Sequence, residues 1–180
     1  MQINADGWLD EATVAPSPNC DSRPEGSRIE LLVVHAISLP PGEFGGPHIQ
    51  ALFQNRLDPN LHTYFRTISD LRVSAHFLID RTGSLLQFVS CAQRAWHAGV
   101  SVWQGRERCN DFSIGIELEG CDDACFTEPQ YAALQGLVTA LRRTYPISGV
   151  VGHSDIAPGR KTDPGPMFDW MRLDSVCNEE

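Results

Sequence analysis

The chain has 180 residues, 42% of them hydrophobic, enough to close a single core at this length. Its formal net charge of −9, with acids and bases scattered along the chain, repels phosphate backbones and argues against nucleic acid as a partner. No segment approaches the roughly 18 apolar residues a membrane span needs, so no membrane role is expected.

Residues 1–28 are rich in Pro, Asn, Ser, Asp and Glu and read as an irregular arm packed on a domain spanning 29–180. The arm opens with no basic stretch, no apolar stretch and no small-residue cleavage site, so it does not read as a secretory signal. The expectation is a cytosolic protein whose six cysteines (Cys20, Cys91, Cys109, Cys121, Cys125 and Cys177) are mostly reduced. Cys121 and Cys125 form the only close pair and, lacking a second pair at matching spacing, read as loop thiols.

Leu31 to Val34 is an apolar run of buried-strand type that delivers His35 at its end. A Pro/Gly-rich loop from Leu39 to Pro47 follows, then Ile49, Leu52, Phe53 and Leu57 at helical spacing, stopped by Asp58-Pro59. A long loop from Leu61 to Leu71 leads to two strand-like runs, Val73–Asp80 and Ser84–Val89, joined by Arg81-Thr82-Gly83 as a hairpin. From Asp111 to Gly120 the sequence alternates, with Phe112, Ile114, Ile116 and Leu118 on one face and Ser113, Gly115, Glu117 and Glu119 on the other. Thr127-Glu-Pro-Gln130 is a capping box that opens a helix with Tyr131, Leu134, Val138, Leu141 and Tyr145 on one stripe, ended by Pro146. Val150 to Gly152 is a short strand delivering His153, and a second Pro/Gly-rich loop from Ala157 to Pro166 precedes a short C-terminal helix from about Phe168. The order predicts a single-domain α/β (α+β) fold, a central mixed sheet flanked by helices.

His35 and His153 both stand where an apolar strand ends, and Asp163 lies ten residues beyond the second. Two imidazoles and a carboxylate make a three-ligand zinc set with a fourth position open for water, although each histidine alone reads more readily as an ordinary core or rim residue. Glu117 and Glu119 point to the same side of their strand; either could take a proton from a zinc-activated water, or both could be solvated. Lys161, two residues before Asp163, could stabilise the oxyanion formed when water adds to an amide carbonyl, or could be a surface lysine. The loop carrying Trp96 and His97 suits stacking on a sugar face, with core packing the alternative for Trp96. Arg72, Arg106 and Arg108 could bind substrate carboxylates or be solvated. His76, mid-strand, reads as structural; His48 and His62 receive no role.

The stretches Leu31–His35, Ile37–Pro47, Leu71–His76, Arg94–Val100, Gln104–Gly120 and Lys161–Pro166 together span nearly the whole chain. On them the sequence resembles the N-acetylmuramoyl-L-alanine amidase family of the peptidoglycan-recognition fold, in particular its cytosolic branch acting on 1,6-anhydro-muramyl peptides. The resemblance implies Zn2+ as cofactor, with His35, His153 and Asp163 as its ligands and an anhydro-muropeptide as substrate. It selects Glu117 over Glu119 as the carboxylate working on water and gives Lys161 the tetrahedral intermediate. Arg72 and Arg108 fall where peptide carboxylates are contacted, and Trp96 and His97 in the substrate-groove motif. It further implies a role in wall recycling and, through it, in β-lactamase induction; a monomer is expected. Ala36 departs from the Asn expected in close relatives, which removes one hydrogen bond to substrate, and Ser154 and Asp155 are local variations. The rival reading is a muropeptide-binding module of the same fold without activity, a type that lacks a full ligand set.

Overall fold

The computed structural model describes residues 1–173. Its organising strand is β3 (Leu31–Ile37), whose first four residues are 0% exposed because both faces of the sheet are covered. Leu32 and Val34 face one apolar cluster, while Leu31 and Val33 face another. The strand therefore reads as a continuous apolar run, each aliphatic side chain contributing about 2 kcal/mol by burial.

The remaining elements, in chain order around β3, are β1 (Thr13–Val14), β2 (Cys20–Ser22), α1 (His48–Phe53), α2 (Phe65–Ile68), β4 (Phe77–Ile79), β5 (Leu85–Gln87) and β6 (Gln93–Ala95). They continue with β7 (Val102–Trp103), β8 (Arg106–Glu107), a 3-10 turn (Cys109–Asp111), β9 (Ser113–Glu119), α3 (Glu128–Thr144), β10 (Gly149–Gly152) and α4 (His153–Ile156). Six strands form a mixed sheet in the order β1-β5-β4-β9-β3-β10, parallel throughout except for the β4–β5 hairpin. Helix α3 covers one face, its Leu134, Leu137, Val138 and Leu141 packing on Leu32, Val34, Ile114, Ile116 and Leu118. Its start is fixed by reciprocal bonds: Gln130 N donates to Thr127 Oγ1 at 3.3 Å, and Thr127 N donates to Gln130 Oε1 at 3.1 Å. Opposite α3, α1 and α2 supply Ile49, Leu52, Phe53 and Phe65 to a second cluster, which walls the site described below.

This matches the expected sheet-and-helix architecture, with local departures. The arm is more ordered than its composition suggests: β1 pairs with β5 at the sheet edge, and β2 pairs with β6. The side chain of Arg23 explains the attachment, donating to the carbonyls of Cys91, Asn110, Asp111 and Ser113 at 2.9–3.2 Å. The face of β9 that carries Glu117 and Glu119 is buried along its whole length, where alternation suggested a polar exterior. Phe112 precedes the strand and packs with Leu31 and Val33, leaving the face it was expected to share with Ile114. Helix α2 interrupts the segment expected to be a long loop. At the C-terminus the helix expected from about Phe168 starts later, with residues 168–170 irregular and 171–173 helical; its continuation and Cys177 lie outside the described residues. Among the described residues no helix is long and apolar enough to cross a membrane.

Candidate metal centre and catalytic cleft

Interior strand β3 carries His35 in its C-terminal half, and β10 runs parallel beside it and hands the chain to α4 with His153 as first residue. The loop after α4 folds back so that Ser154 N donates to the Asp163 carbonyl at 2.9 Å, which places Asp163 against both histidines. His35 Nδ1 and His153 Nδ1 are 3.0 Å apart, and Asp163 Oδ2 lies 3.1 Å from the first and 3.0 Å from the second. Tetrahedral zinc bonds of about 2.0 Å put ligand atoms roughly 3.3 Å apart, close to this triangle.

The chemistry of the donors supports a cation there. His153 Nε2 sits 3.2 Å from the Ala98 carbonyl oxygen, which only accepts, so Nε2 holds the proton and Nδ1 presents a lone pair. Burial lowers the pKa of His35 to about 4, against the opposing pull of Asp163, so this imidazole is neutral. Burial raises the Asp163 pKa, yet its contacts to His153 and His35 outweigh that and hold the carboxylate well below its usual range. Lone pairs and a carboxylate oxygen crowded at this spacing fit a metal ion, and two imidazoles with one carboxylate suit a divalent transition metal.

Register distinguishes the positions of the two carboxylates that alternation put on one face of β9. Glu117 is the Cα partner of His35 across the parallel β3–β9 pair, so both side chains leave the sheet side by side on one face. Its Oε2 is buried with no hydrogen-bond partner among the described residues. Burial, then the neighbouring Asp163 charge, push the Glu117 pKa well above the carboxylate norm, and Lys161 partly opposes them. Glu119 is spent on structure: it accepts from Gly45 N at 2.6 Å and from Arg81 N at 3.2 Å, tying the 39–47 loop to the hairpin turn.

A cavity of about 320 Å³ opens over these groups, lined by His35, Glu117, His153, Lys161 and Asp163 together with Trp96, His97 and Ala36. The three arginines singled out in the sequence, Arg72, Arg106 and Arg108, are outside this lining, and Arg106 pairs with Glu30 at 2.9 Å. Arg72 is exposed between two residues that do line it, Leu71 and Val73. Arg108 adopts a positive φ of 61° and pairs with Asp111 at 3.2 Å. His76 has the structural role expected of it, accepting from Gly115 N at 3.0 Å through Nδ1 and donating to the Gln93 carbonyl at 3.1 Å. His97 has protein partners at both ring nitrogens, His35 at 2.9 Å and Ser113 at 3.1 Å. Sequence reasoning missed the apolar wall from Leu39, Leu52, Phe53, Tyr64 and Ile68; the helical spacing of Leu52 and Phe53 gave α1, with no sign that it borders the site.

A buried carboxylate beside a His/His/Asp group that could hold a metal ion, all lining one cleft, is the arrangement of a hydrolytic site. The N-acetylmuramoyl-L-alanine amidase family model matches residues 25–166, and the chain belongs to that family. It is 59% identical over 170 residues to the 1,6-anhydro-N-acetylmuramyl-L-alanine amidase AmpD of Citrobacter freundii, covering 93% of this chain and 91% of that protein. A crystal structure of an AmpD derivative superposes with a TM-score of 0.95 at 57% identity, covering 98% of this chain and 99% of the other. The amidase AmiD of E. coli, solved with the substrate anhydro-N-acetylmuramic acid-L-Ala-D-gamma-Glu-L-Lys, matches with a TM-score of 0.62 at 31% identity, over 86% of this chain and 60% of that one.

Proposed function

We propose that this chain is a zinc-dependent amidase that hydrolyses the bond between 1,6-anhydro-N-acetylmuramic acid and the L-alanine of muropeptides. The proposed setting is cytosolic wall recycling, through which β-lactamase induction would be affected. The substrate is supported by identity to AmpD along nearly the whole chain and by the ligand of the AmiD complex. The single observation that carries catalysis is the unpartnered Glu117 Oε2 beside the His35/His153/Asp163 centre.

His35, His153 and Asp163 would hold the zinc, which when bound polarises the scissile carbonyl and makes water a nucleophile near pH 7. Glu117 takes a proton from the attacking water as its oxygen bonds to the lactyl carbonyl carbon. Lys161, whose charge reaches both Glu117 and His35, faces the oxyanion that develops on the carbonyl oxygen. Glu117 then gives its proton to the L-alanine nitrogen as the C–N bond breaks, leaving a carboxylic acid on the sugar and a free peptide. Trp96 offers a flat wall for the sugar, and Arg72 and Arg108 are the cations proposed to meet the peptide's carboxylates. Action as a monomer is part of the same proposal.

Metal removal tests the reading. Protein stripped with a chelator is expected to lose hydrolysis of anhydro-muramyl-tripeptide and to regain it with zinc, whereas His153→Ala is expected neither to retain zinc nor to respond. Tight binding of the fragment by zinc-loaded protein without release of peptide would instead identify a recognition module.

A further inference from the structure

His97 and Ala98 are neighbours in the chain, and each touches a different histidine of the candidate metal centre. His97 Nδ1 lies 2.9 Å from His35 Nε2, and the Ala98 carbonyl oxygen lies 3.2 Å from His153 Nε2. With its own Nδ1 turned to the centre, His35 donates Nε2–H to His97 Nδ1. His97 in turn donates Nε2–H to Ser113 Oγ at 3.1 Å. The protons of both histidines thus point outward, away from the centre, and both lone pairs point in.

The two residues are themselves pinned. The backbone N–H groups of His97 and Ala98 both donate to Asn110 Oδ1, at 3.2 and 2.8 Å. Arg160 Nη2 donates to the Ala98 carbonyl at 2.8 Å. The His97 ring lies directly against Gly115 of β9, where an added Cβ would come within 2.5 Å of the His97 Cγ. Glycine at 115 is therefore the residue that makes room for the ring, which meets His35 edge to face at an interplanar angle of 87°.

We propose that the His97–Ala98 unit is the orienting bracket of the metal centre, with His97 a positioning residue for His35 and the Ala98 carbonyl fixing His153. Ser113, Gly115 and Asn110 hold the bracket in place. The proposal rests on the reading of His35, His153 and Asp163 as metal ligands. It assigns the His97 ring nitrogens to the centre and leaves sugar stacking in this loop to Trp96. A ligand imidazole whose far nitrogen is hydrogen-bonded has its tautomer and ring angle fixed, and losing such a partner typically costs about 10- to 100-fold in metal affinity.

The test compares full-length His97→Phe, His97→Gln and His35→Ala, each checked for folding by circular dichroism and thermal melting. Two readouts are independent of turnover: the zinc dissociation constant from competition with a chromophoric chelator, and the visible spectrum of the cobalt(II)-substituted protein. His97→Phe, which keeps a flat ring and loses the acceptor, is expected to weaken zinc about 10- to 100-fold and shift the cobalt bands. His97→Gln, whose amide oxygen can accept from His35, is expected to recover most of that loss, and His35→Ala to abolish binding. Unchanged affinity and spectrum in a folded His97→Phe, with binding abolished by His35→Ala, would overturn the bracket and leave the ligand assignment standing. Unchanged zinc binding in His35→Ala would overturn the ligand assignment itself. Should His97→Phe not fold, Asn110→Ala, which frees the same bracket, is expected to weaken zinc, and unaltered affinity there would overturn the proposal.

Discussion

Glu117 and Glu119 leave β9 on the same face, two residues apart, and their surroundings differ. Glu119 meets two backbone N–H groups, whereas Glu117 Oε2 meets none among the described residues and sits beside Asp163. Glu119→Gln replaces one acceptor by a donor, so one N–H is left unsatisfied; unfolding free energy is expected to drop by about 1–3 kcal/mol with zinc affinity preserved. In metal-free protein, Glu117→Gln removes an unpaired buried carboxylate and is expected to leave stability equal or higher. Denaturant titration of the two variants checks both, and a destabilised Glu117→Gln with an unaffected Glu119→Gln would reverse the assignment. The buried imidazoles add a pH dependence. Burial holds His35 down to about 4 and lowers His76 and His97 well below the ordinary range, so the folded state stays unprotonated where the unfolded chain binds protons at about pH 6.5. Their contribution is complete above about pH 6.5 and is lost as pH falls toward 4; Glu117, shifted upward, acts in the opposite sense, one group against three. The stability of metal-free protein is therefore expected to fall between about pH 7 and about pH 5, and a flat or rising denaturation midpoint over that range would contradict this.

Short elements hold the site in place, and they depend on contacts distant in sequence. The arm closes the sheet edge through β1, and β2 pairs with the β6 strand that leads directly into Trp96 and His97. Arg23 joins the arm to residues 109–113, the stretch that carries Asn110 and Ser113, through the carbonyls of Asn110, Asp111 and Ser113. Charge-assisted bonds of this kind are worth about 1.5–3 kcal/mol each, and orphaned carbonyls add to the loss. Arg23→Ala is expected to cost about 3 kcal/mol or more, read as a lowered thermal midpoint; a change of under about 0.5 kcal/mol would mean that the arm is merely laid on the surface. The same dependence explains what the sequence conceals. Strands β3 and β9 and helix α3 are long enough to show a period and a cap, and they are legible. Strands β1, β2 and β6 and helices α2 and α4 span two to four residues, too few for any period, and form because a distant partner satisfies them. Of the missed pieces, the β7–β8 hairpin alone left a local trace, Gln104-Gly105, whose positive φ values of 49° and 79° suit a tight turn.

At the scale of the molecule, parallel pairing about β3 is what makes a site from residues far apart in the chain. His35 lies in the C-terminal half of the central strand, Glu117 is level with it on the partner strand, and β10 on the other side delivers His153 and, ten residues on, Asp163. The histidine placement is readable in sequence as apolar runs that lead into a histidine, although β3 continues two residues past His35. The choice between Glu117 and Glu119, the use of Nδ1, and the apolar wall from α1 and α2 are not readable, because they follow from register and from packing between separate elements. Glu117 is proposed to perform the proton transfers of an amidase whose metal it does not hold. The decisive test is mass spectrometry of anhydro-muramyl-tripeptide digested by zinc-loaded wild type and zinc-loaded Glu117→Gln. Wild type is expected to release free tripeptide, and the variant to bind zinc equally well but release tripeptide about 100- to 10,000-fold more slowly. Near-normal release by Glu117→Gln, or none by the zinc-loaded wild type, would contradict the proposal.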